Sequence, residues 1–281
     1  MAICWSGAEP AQALLNEVKK RAENCIAQGV TPTLALLCVG DDPAAAGYRE
    51  RLLGSAESTL VAVKTVTLAP SSDEKTVRAE IERLNADRSV HGILIFLPLP
   101  HHLHGAEKAL CASIKPEKDV DGVTPLSAAG TYLGKPWGFT PCAAEACIRL
   151  LDYYGFDCSG KKAVVVGRSA VIGKPAAMLL LEKNATVTVC HRKTRDLAAQ
   201  TRQADILLTA AGSAGLIGAE HIRPGAVVLD LGASWEGETL AGDLQPEASS
   251  LTAAYTPVPG GVGAVTSAVL MDHVVRAAET E

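Results

Sequence analysis

Gly167-Arg168-Ser169 and Gly173 separate a β-branched run, Ala163-Val164-Val165-Val166, from a helix-forming one, Pro175-Ala176-Ala177-Met178-Leu179-Leu180-Leu181. Residues of these types in this order predict a buried strand, a tight turn and a helix, and such a turn aims helix N–H groups at an anion. In a doubly wound sheet that anion is usually the pyrophosphate of a dinucleotide. The spacing is not the common G-x-G-x-x-G, because Ser169 takes the place of the middle glycine and one residue is added before Gly173. Alone, the turn therefore reads equally well as purely structural. The next strand tips the balance. Ala185-Thr186-Val187-Thr188-Val189-Cys190 alternates and runs into His191-Arg192-Lys193-Thr194, where an NAD site usually places an acidic residue on the ribose hydroxyls. Arg192, with Arg168 in the turn, supplies two guanidinium forks suited to a 2′-phosphate. NADP is expected over NAD, against the alternative of two solvated surface arginines.

Other groups capable of chemistry are scattered. Asp119 and Asp121, in the polar turn Lys115-Pro116-Glu117-Lys118-Asp119-Val120-Asp121-Gly122, are candidates for contacting something in a cleft, since ligand sites favour domain crossings. Tyr48 and Leu52 are spaced to lie one above the other on a helix face, with Arg51 beside them. His101-His102-Leu103-His104 has the ligand type of a zinc site, but adjacent loop histidines rarely converge on one ion and no carboxylate or cysteine completes the shell. No metal is expected. Thr256-Pro257-Val258-Pro259-Gly260-Gly261-Val262-Gly263 ends in three glycines in four positions. Such a backbone either initiates the helix that follows or lets a ligand approach closely, and the glycine density favours the ligand.

These groups need a scaffold. With 281 residues, 48% of them apolar, the chain has enough material for two cores. A net charge of −5 leaves no electrostatic footprint for nucleic acid or an anionic membrane. The absence of a leader-like N-terminus, a spanning apolar run and any Cys-x-x-Cys pair among the eight cysteines points to a reducing, cytoplasmic location. A helix is expected over 10–28, then strands over 33–39, 61–68 and 92–97. The strand at 33–39 should turn at Gly40-Asp41-Asp42-Pro43 into the helix carrying Tyr48, and Ser71-Ser72-Asp73-Glu74 has the pattern of a capping box for a helix to about Asn85. Three βα units in a row imply a parallel, three-layer domain. A helix opened by Thr140-Pro141 leads to the strand at 162–166. Later strands at 205–209 and 226–231 should bring Ala210-Ala211-Gly212 and Gly232-Ala233-Ser234 to the crevice at Gly167.

Taken together, Val39-Gly40-Asp41-Asp42-Pro43 with Tyr48, Leu97-Pro98-Leu99-Pro100, Lys118-Asp119-Val120-Asp121-Gly122, Gly167-Arg168-Ser169 and Pro257-Val258-Pro259-Gly260-Gly261-Val262-Gly263 resemble, in one order over nearly the whole length, the methylenetetrahydrofolate dehydrogenase/cyclohydrolase family. The resemblance implies two three-layer α/β domains with a cleft between them, the second a Rossmann-like doubly wound parallel sheet. Residues 1–122 would form the catalytic domain, completed by a C-terminal helix over 264–281, and residues 140–263 the NAD(P)-binding domain. It implies a homodimer acting on a tetrahydrofolate derivative. Tyr48 would stack on the folate and Asp121 hold its pterin, with Leu97, Pro98, Pro259, Gly260 and Gly261 bordering the substrate. Gly167, Arg168, Ser169 and Ala233 would contact the cofactor.

Two positions depart from the family's pattern. A lysine usually follows the tyrosine by four residues and a glutamine usually precedes Leu-Pro-Leu-Pro; here these are Leu52 and Phe96. The glycine-rich loop also continues as Ala264-Val265 where Pro-Met is usual. Hydride transfer from the one-carbon bridge needs positioning more than a protein base. Hydrolysis of the resulting methenyl cation needs protons moved and a water oriented, which neither leucine nor phenylalanine does. Arg51 would hold charge without alternating between acid and base. The expected activity is NADP-dependent oxidation of 5,10-methylenetetrahydrofolate with the cyclohydrolase step impaired or absent. The alternatives are a bifunctional enzyme with an altered proton relay and a non-catalytic or differently specific ligand-binding relative.

Overall fold

The computed structural model describes residues 2–40, 46–237 and 239–280, and the chain divides into two compact α/β units. One unit takes Gln12–Cys142 and the C-terminal residues from Ser267; the other takes Ala143–Thr266 and the N-terminal segment through Ala11. That last assignment differs from the expected boundary, which placed residues 1–11 with the first domain. The reason is a two-residue strand, β1 (Ile3–Cys4), which pairs in parallel with a strand more than 240 residues later in the sequence. A strand so short carries no period for sequence reading to detect.

In the first unit, helix α1 (Ala8–Ala27) leads to β2 (Thr33–Val39). Helix α2 (Ala46–Ser58) connects it to β3 (Ala62–Leu68), and α3 (Glu74–Ala86) connects β3 to β4 (Gly92–Ile95). The strands are parallel in the order β3-β2-β4. Central β2 is covered on both faces, so Leu34, Ala35, Leu36 and Leu37 are all fully buried, and the apolar run in the sequence is the consequence of that position. On one face Ala35, Leu37, Ile93 and Ile95 form a core with Val77, Ile81 and Leu84 of α3 and Leu110 of α4 (Glu107–Cys111). The turn expected to start α2 falls, from Asp41 onward, outside the described residues.

The cap of α3 is a correction. Asp73, not Ser71, is the N-cap: its carboxylate accepts from the Thr76 amide at 2.8 Å and the Thr76 hydroxyl at 2.6 Å. A carboxylate adjacent to the first helical residue reaches the exposed amides directly and favours the helix's positive end. Helix α5 (Pro125–Leu133), with Thr124 as N-cap, was not foreseen; its small residues lack a strong apolar stripe.

In the second unit, α6 (Cys142–Tyr153) precedes β5 (Lys162–Val166), α7 (Gly173–Glu182), β6 (Thr186–Cys190), α8 (Leu197–Thr201), β7 (Ile206–Thr209) and β8 (Val227–Asp230). A hairpin, β9 (Ser234–Glu236) and β10 (Thr239–Ala241), and the short β11 (Ala254–Tyr255) follow, before α9 (Val262–Ala278). The six-stranded sheet is parallel throughout, in the order β1-β11-β8-β7-β5-β6. The order runs outward in both directions from β5, which puts the crevice for a ligand at the carboxyl ends of β5 and β7. Among the described residues no helix is long and apolar enough to cross a membrane.

Candidate active site

In the first unit the functional candidates come from α2, the end of β4 and the turn before α5. Tyr48 lies in the first turn of α2, half-buried, and its ring meets Phe96 edge-on with centroids 5.9 Å apart and planes at 62°. Phe96 directly follows β4, its amide donating to the Leu37 carbonyl at 3.0 Å. The Arg49 guanidinium lies over the same ring, 5.5 Å from its centroid. Leu52, one turn after Tyr48, is fully buried. The position where the family usually has lysine is thus part of the core, and the position of its glutamine is an aromatic floor beside Tyr48. Arg51, the charge considered from sequence, is exposed, while Arg49 is the cation against the ring. Leu97 and Pro98 follow Phe96 on the surface.

The two aspartates have different roles. Asp119 is fully buried, and its carboxylate accepts from the Val123 amide (2.9 Å), the Thr124 amide (2.8 Å) and the Ser127 hydroxyl (2.6 Å). It therefore shapes the turn into α5, and is withdrawn from the candidates for ligand contact: its lone pairs are engaged by its own loop. Asp121 remains half-buried. Burial and the charge of Asp119 push its carboxyl up to about 7, opposed by a hydrogen bond from Cys142 and by His273. Burial and the Asp121 charge in turn raise the Tyr48 phenol. Behind Asp121, the Val120 carbonyl accepts from Cys142 Sγ at 3.2 Å and lies 2.8 Å from His273 Nδ1. A carbonyl only accepts, so that nitrogen carries the proton. Cys142 and His273 went unnoticed in the sequence: they are 131 positions apart and share no motif.

The second unit holds a pocket of about 490 Å³ at the carboxyl ends of β5, β6 and β7. Gly167, Arg168 and Arg192 line it with His191 and Ala211, and among the described residues no carboxylate does. The glycines are required by the chain itself. Gly167 has φ +134°, and a Cβ there would come within 2.5 Å of the Ala210 carbonyl oxygen; one on Gly173 would strike the Gly167 carbonyl. Both arginines are exposed. The residues fit an anionic dinucleotide: an open glycine backbone, two guanidinium groups and no opposing acid.

Ser169 is used differently from the expectation. Its hydroxyl oxygen accepts from the amides of Ile172 (3.1 Å) and Gly173 (3.3 Å), and its carbonyl accepts from Lys174. The first donors of α7 are thereby occupied within the turn, and Pro175 has none to give. An anion in this pocket would be met chiefly by the arginines. Ala233 is exposed between β8 and β9 and is not among the residues lining the pocket.

The glycine-rich loop divides. Pro259 and Gly260 are exposed, and Gly260, at φ +96°, has open space where a side chain would point. Gly261 is buried against Pro257, and the Gly7 amide donates to the Gly260 carbonyl at 2.8 Å. Gly261 is thus explained by packing of the chain on itself rather than by ligand approach.

A parallel doubly wound sheet with a glycine turn and two arginines at its switch point, joined to a second α/β unit bearing an aromatic platform and a carboxylate, defines a two-unit nucleotide-dependent oxidoreductase. Family comparison makes the class specific: the catalytic-domain model of tetrahydrofolate dehydrogenase/cyclohydrolase matches residues 5–121, and its NAD(P)-binding-domain model matches residues 141–281. The chain belongs to this family, and it is a dehydrogenase with an NAD(P)-binding domain. A bifunctional protein FolD of Geobacillus kaustophilus is 43% identical over 275 residues, covering 97% of this chain and 96% of its own. Among solved structures, the bifunctional FolD methylenetetrahydrofolate dehydrogenase/cyclohydrolase of Campylobacter jejuni superposes with a TM-score of 0.96 at 35% identity, covering 100% of this chain and 99% of the other. The Trypanosoma brucei dehydrogenase-cyclohydrolase, solved with NADP and an inhibitor, gives 0.93 at 31% identity, covering 99% and 98%.

Proposed function

We propose that this enzyme oxidises 5,10-methylenetetrahydrofolate to the 5,10-methenyl cation with NADP, and that it hydrolyses the methenyl product poorly or not at all. The observation that carries the second half is the pair Leu52 and Phe96, one fully buried and the other packed edge-on against Tyr48. Neither side chain transfers a proton or orients a water, and general acid–base help of that kind is typically worth about 10² to 10⁴ in rate.

The oxidation makes no such demand. NADP, when bound, supplies the hydride acceptor, and the cation left on the one-carbon bridge is stabilised by the folate's own nitrogens. The protein's part is to hold reactants in register. Tyr48 offers a ring face for stacking, Asp121 an acceptor for the pterin N–H groups, and Leu97 and Pro98 exposed walls; Pro259 and Gly260 are proposed as further substrate contacts on resemblance alone. Arg168 and Arg192 would take the cofactor's phosphates, the 2′-phosphate included, which favours NADP over NAD. Gly167 admits the cofactor backbone, and Ser169 holds the turn. Ala233 is proposed as a further cofactor contact on resemblance alone.

A second reading is favoured by Asp121, whose carboxyl lies near neutrality beside Cys142 and His273. A bifunctional enzyme, as the relatives named bifunctional protein FolD are, would here need an altered relay, with Asp121 as the proton carrier. The two readings separate in one assay. Purified protein is given methylenetetrahydrofolate and NADP, and NADPH and methenyltetrahydrofolate are followed separately. Methenyl product should accumulate one for one with NADPH and then decay at the rate seen in buffer alone. Decay clearly faster than in buffer would refute impaired hydrolysis and point to Asp121. A homodimer is also proposed, and sedimentation at working concentration tests it.

A further inference from the structure

Asp243 belongs to none of the sequence motifs and lies in the turn after β10, yet it is fully buried and its carboxylate is surrounded by donors. One oxygen accepts from the Thr209 hydroxyl and from the Ala211 amide, each at 2.7 Å; the other accepts from the Ser213 amide at 2.7 Å. Thr209 ends β7, and the two amides belong to the loop that follows it. Ala210, Ala211 and Ser213 of this loop line the pocket assigned to the cofactor, and the Ala210 amide is tied to the Val166 carbonyl, one residue before Gly167. The wall of the pocket formed by this loop is therefore held by a carboxylate that does not itself line the pocket.

Asp243 is itself held. The buried carboxylate of Asp230, at the end of β8, accepts from the amides of Asp243 (3.1 Å), Leu244 (2.9 Å) and Gly232 (2.8 Å). The Asp230 amide in turn donates to the Thr256 hydroxyl at 2.8 Å. Gly232 is needed beside this pair, because a Cβ there would collide with the Asp243 carboxylate. A buried charge is retained only when its lone pairs are well satisfied, and charge-assisted bonds to backbone amides fix a loop more firmly than neutral ones.

We propose that Asp243 is a positioning residue for the cofactor, setting the loop at 210–213 as the rigid wall against which the dinucleotide lies. The inference rests on the reading of this pocket as the NADP site. A carboxylate serves here better than an amide, because all three contacts are donors. Asp243→Asn keeps shape and volume but turns an NH2 toward at least one of them, so the loop must move or leave a donor unsatisfied.

The test is NADP binding by titration, folate KM, and amide exchange at Ala211 and Ser213, in wild type, Asp243→Asn, Thr209→Val and Arg192→Ala. Asp243→Asn should weaken NADP and NAD to a similar degree, about tenfold or more, with faster exchange at Ala211 and Ser213 and folate KM within about twofold of wild type. Thr209→Val removes a single donor, folds without a buried-charge defect, and should give a smaller loss in the same direction. A merely structural role would lower thermal stability while leaving cofactor affinity of the folded protein unchanged, and that result overturns the proposal; if Asp243→Asn does not fold, unchanged affinity in Thr209→Val with faster exchange does the same. Arg192→Ala separates the two readings. Weakened NADP binding in that variant with unchanged binding in Asp243→Asn refutes the positioning role alone, whereas unchanged binding in both variants removes the pocket assignment with it.

Discussion

Asp121 gives the sharpest quantitative test. If the carboxylate accepts hydrogen bonds from pterin N–H groups, only its ionised form binds folate well. With its carboxyl pushed up to about 7 by burial and by Asp119, the folate KM should rise about tenfold for each pH unit below neutrality and level off above it, as for any ligand that selects one protonation state. The same shift has a stability consequence of definite sign. The folded value lies above the ordinary 3.8, so ionisation opposes folding: below about pH 4 there is no penalty, it grows as pH rises toward 7, and it is constant beyond. The interval from 3.8 to about 7, at about 1.36 kcal/mol per pH unit, gives about 4 kcal/mol as an upper bound. Asp121→Asn should therefore have a high but pH-independent folate KM. In urea unfolding it should gain on wild type as pH is raised from about 4 to 8, the acids left in place contributing alike to both proteins. A wild-type folate KM that stays flat from about pH 5.5 to 8, or a variant that loses stability relative to wild type as pH rises, would refute the assignment.

Leu52→Lys alone should destabilise by about 3 kcal/mol or more, since it places an ammonium at a fully buried site, and should not restore hydrolysis. Combined with Phe96→Gln it should recover methenyl hydrolysis beyond the two single effects, as residues that act as a unit do; additive behaviour would count against the pair. Arg192→Asp should weaken NADP more than NAD by setting a like charge against the 2′-phosphate, and equal losses measured by titration would make Arg192 an ordinary surface residue. Tyr48→Ala should raise the folate KM and leave cofactor affinity unchanged, because only a stacking platform is lost; parallel loss of both affinities would assign Tyr48 to the core.

What the sequence discloses depends on how many residues carry each signal. The strands β2 and β5 are legible because burial on both faces demands unbroken apolar runs, and the run at Lys162–Val166 coincides with the strand from end to end. Strands β1, β9, β10 and β11 are two or three residues long and are made by pairing, not by local pattern. The glycine turn was legible because close backbone approach imposes glycine at Gly167 and Gly173, and the end of β6 was legible enough to bring Arg192 to the same pocket. Asp119 and Asp121 look alike on paper, two positions apart; only the amides of Val123 and Thr124 tell them apart. Ser169 lies where a ligand contact is expected, and local geometry turns its oxygen to its own helix. The departure at Leu52 and Phe96 is visible only against the family's usual lysine and glutamine, since nothing in an apolar residue announces what it replaced.

The pairing of β1 with β11 bears on how the protein is made. Ile3 and Cys4 are synthesised long before their partners Ala254 and Tyr255. The first unit waits as well, because its residues from Ser267 onward emerge only after Ala143–Thr266 of the other unit. Neither unit can close before the residues that follow β8 have been translated, even though the three strands β2, β3 and β4 can assemble early. Closing a loop of this length adds only logarithmically to the entropy of folding, so the arrangement costs little at equilibrium. Its effect is on timing: the edge of β11 stays unpaired until a distant N-terminal segment finds it, and an exposed strand edge in a nascent chain is where association with other chains begins. A version truncated before Trp5 should reach a similar fold with lower yield, losing more to aggregation during synthesis than to instability afterwards.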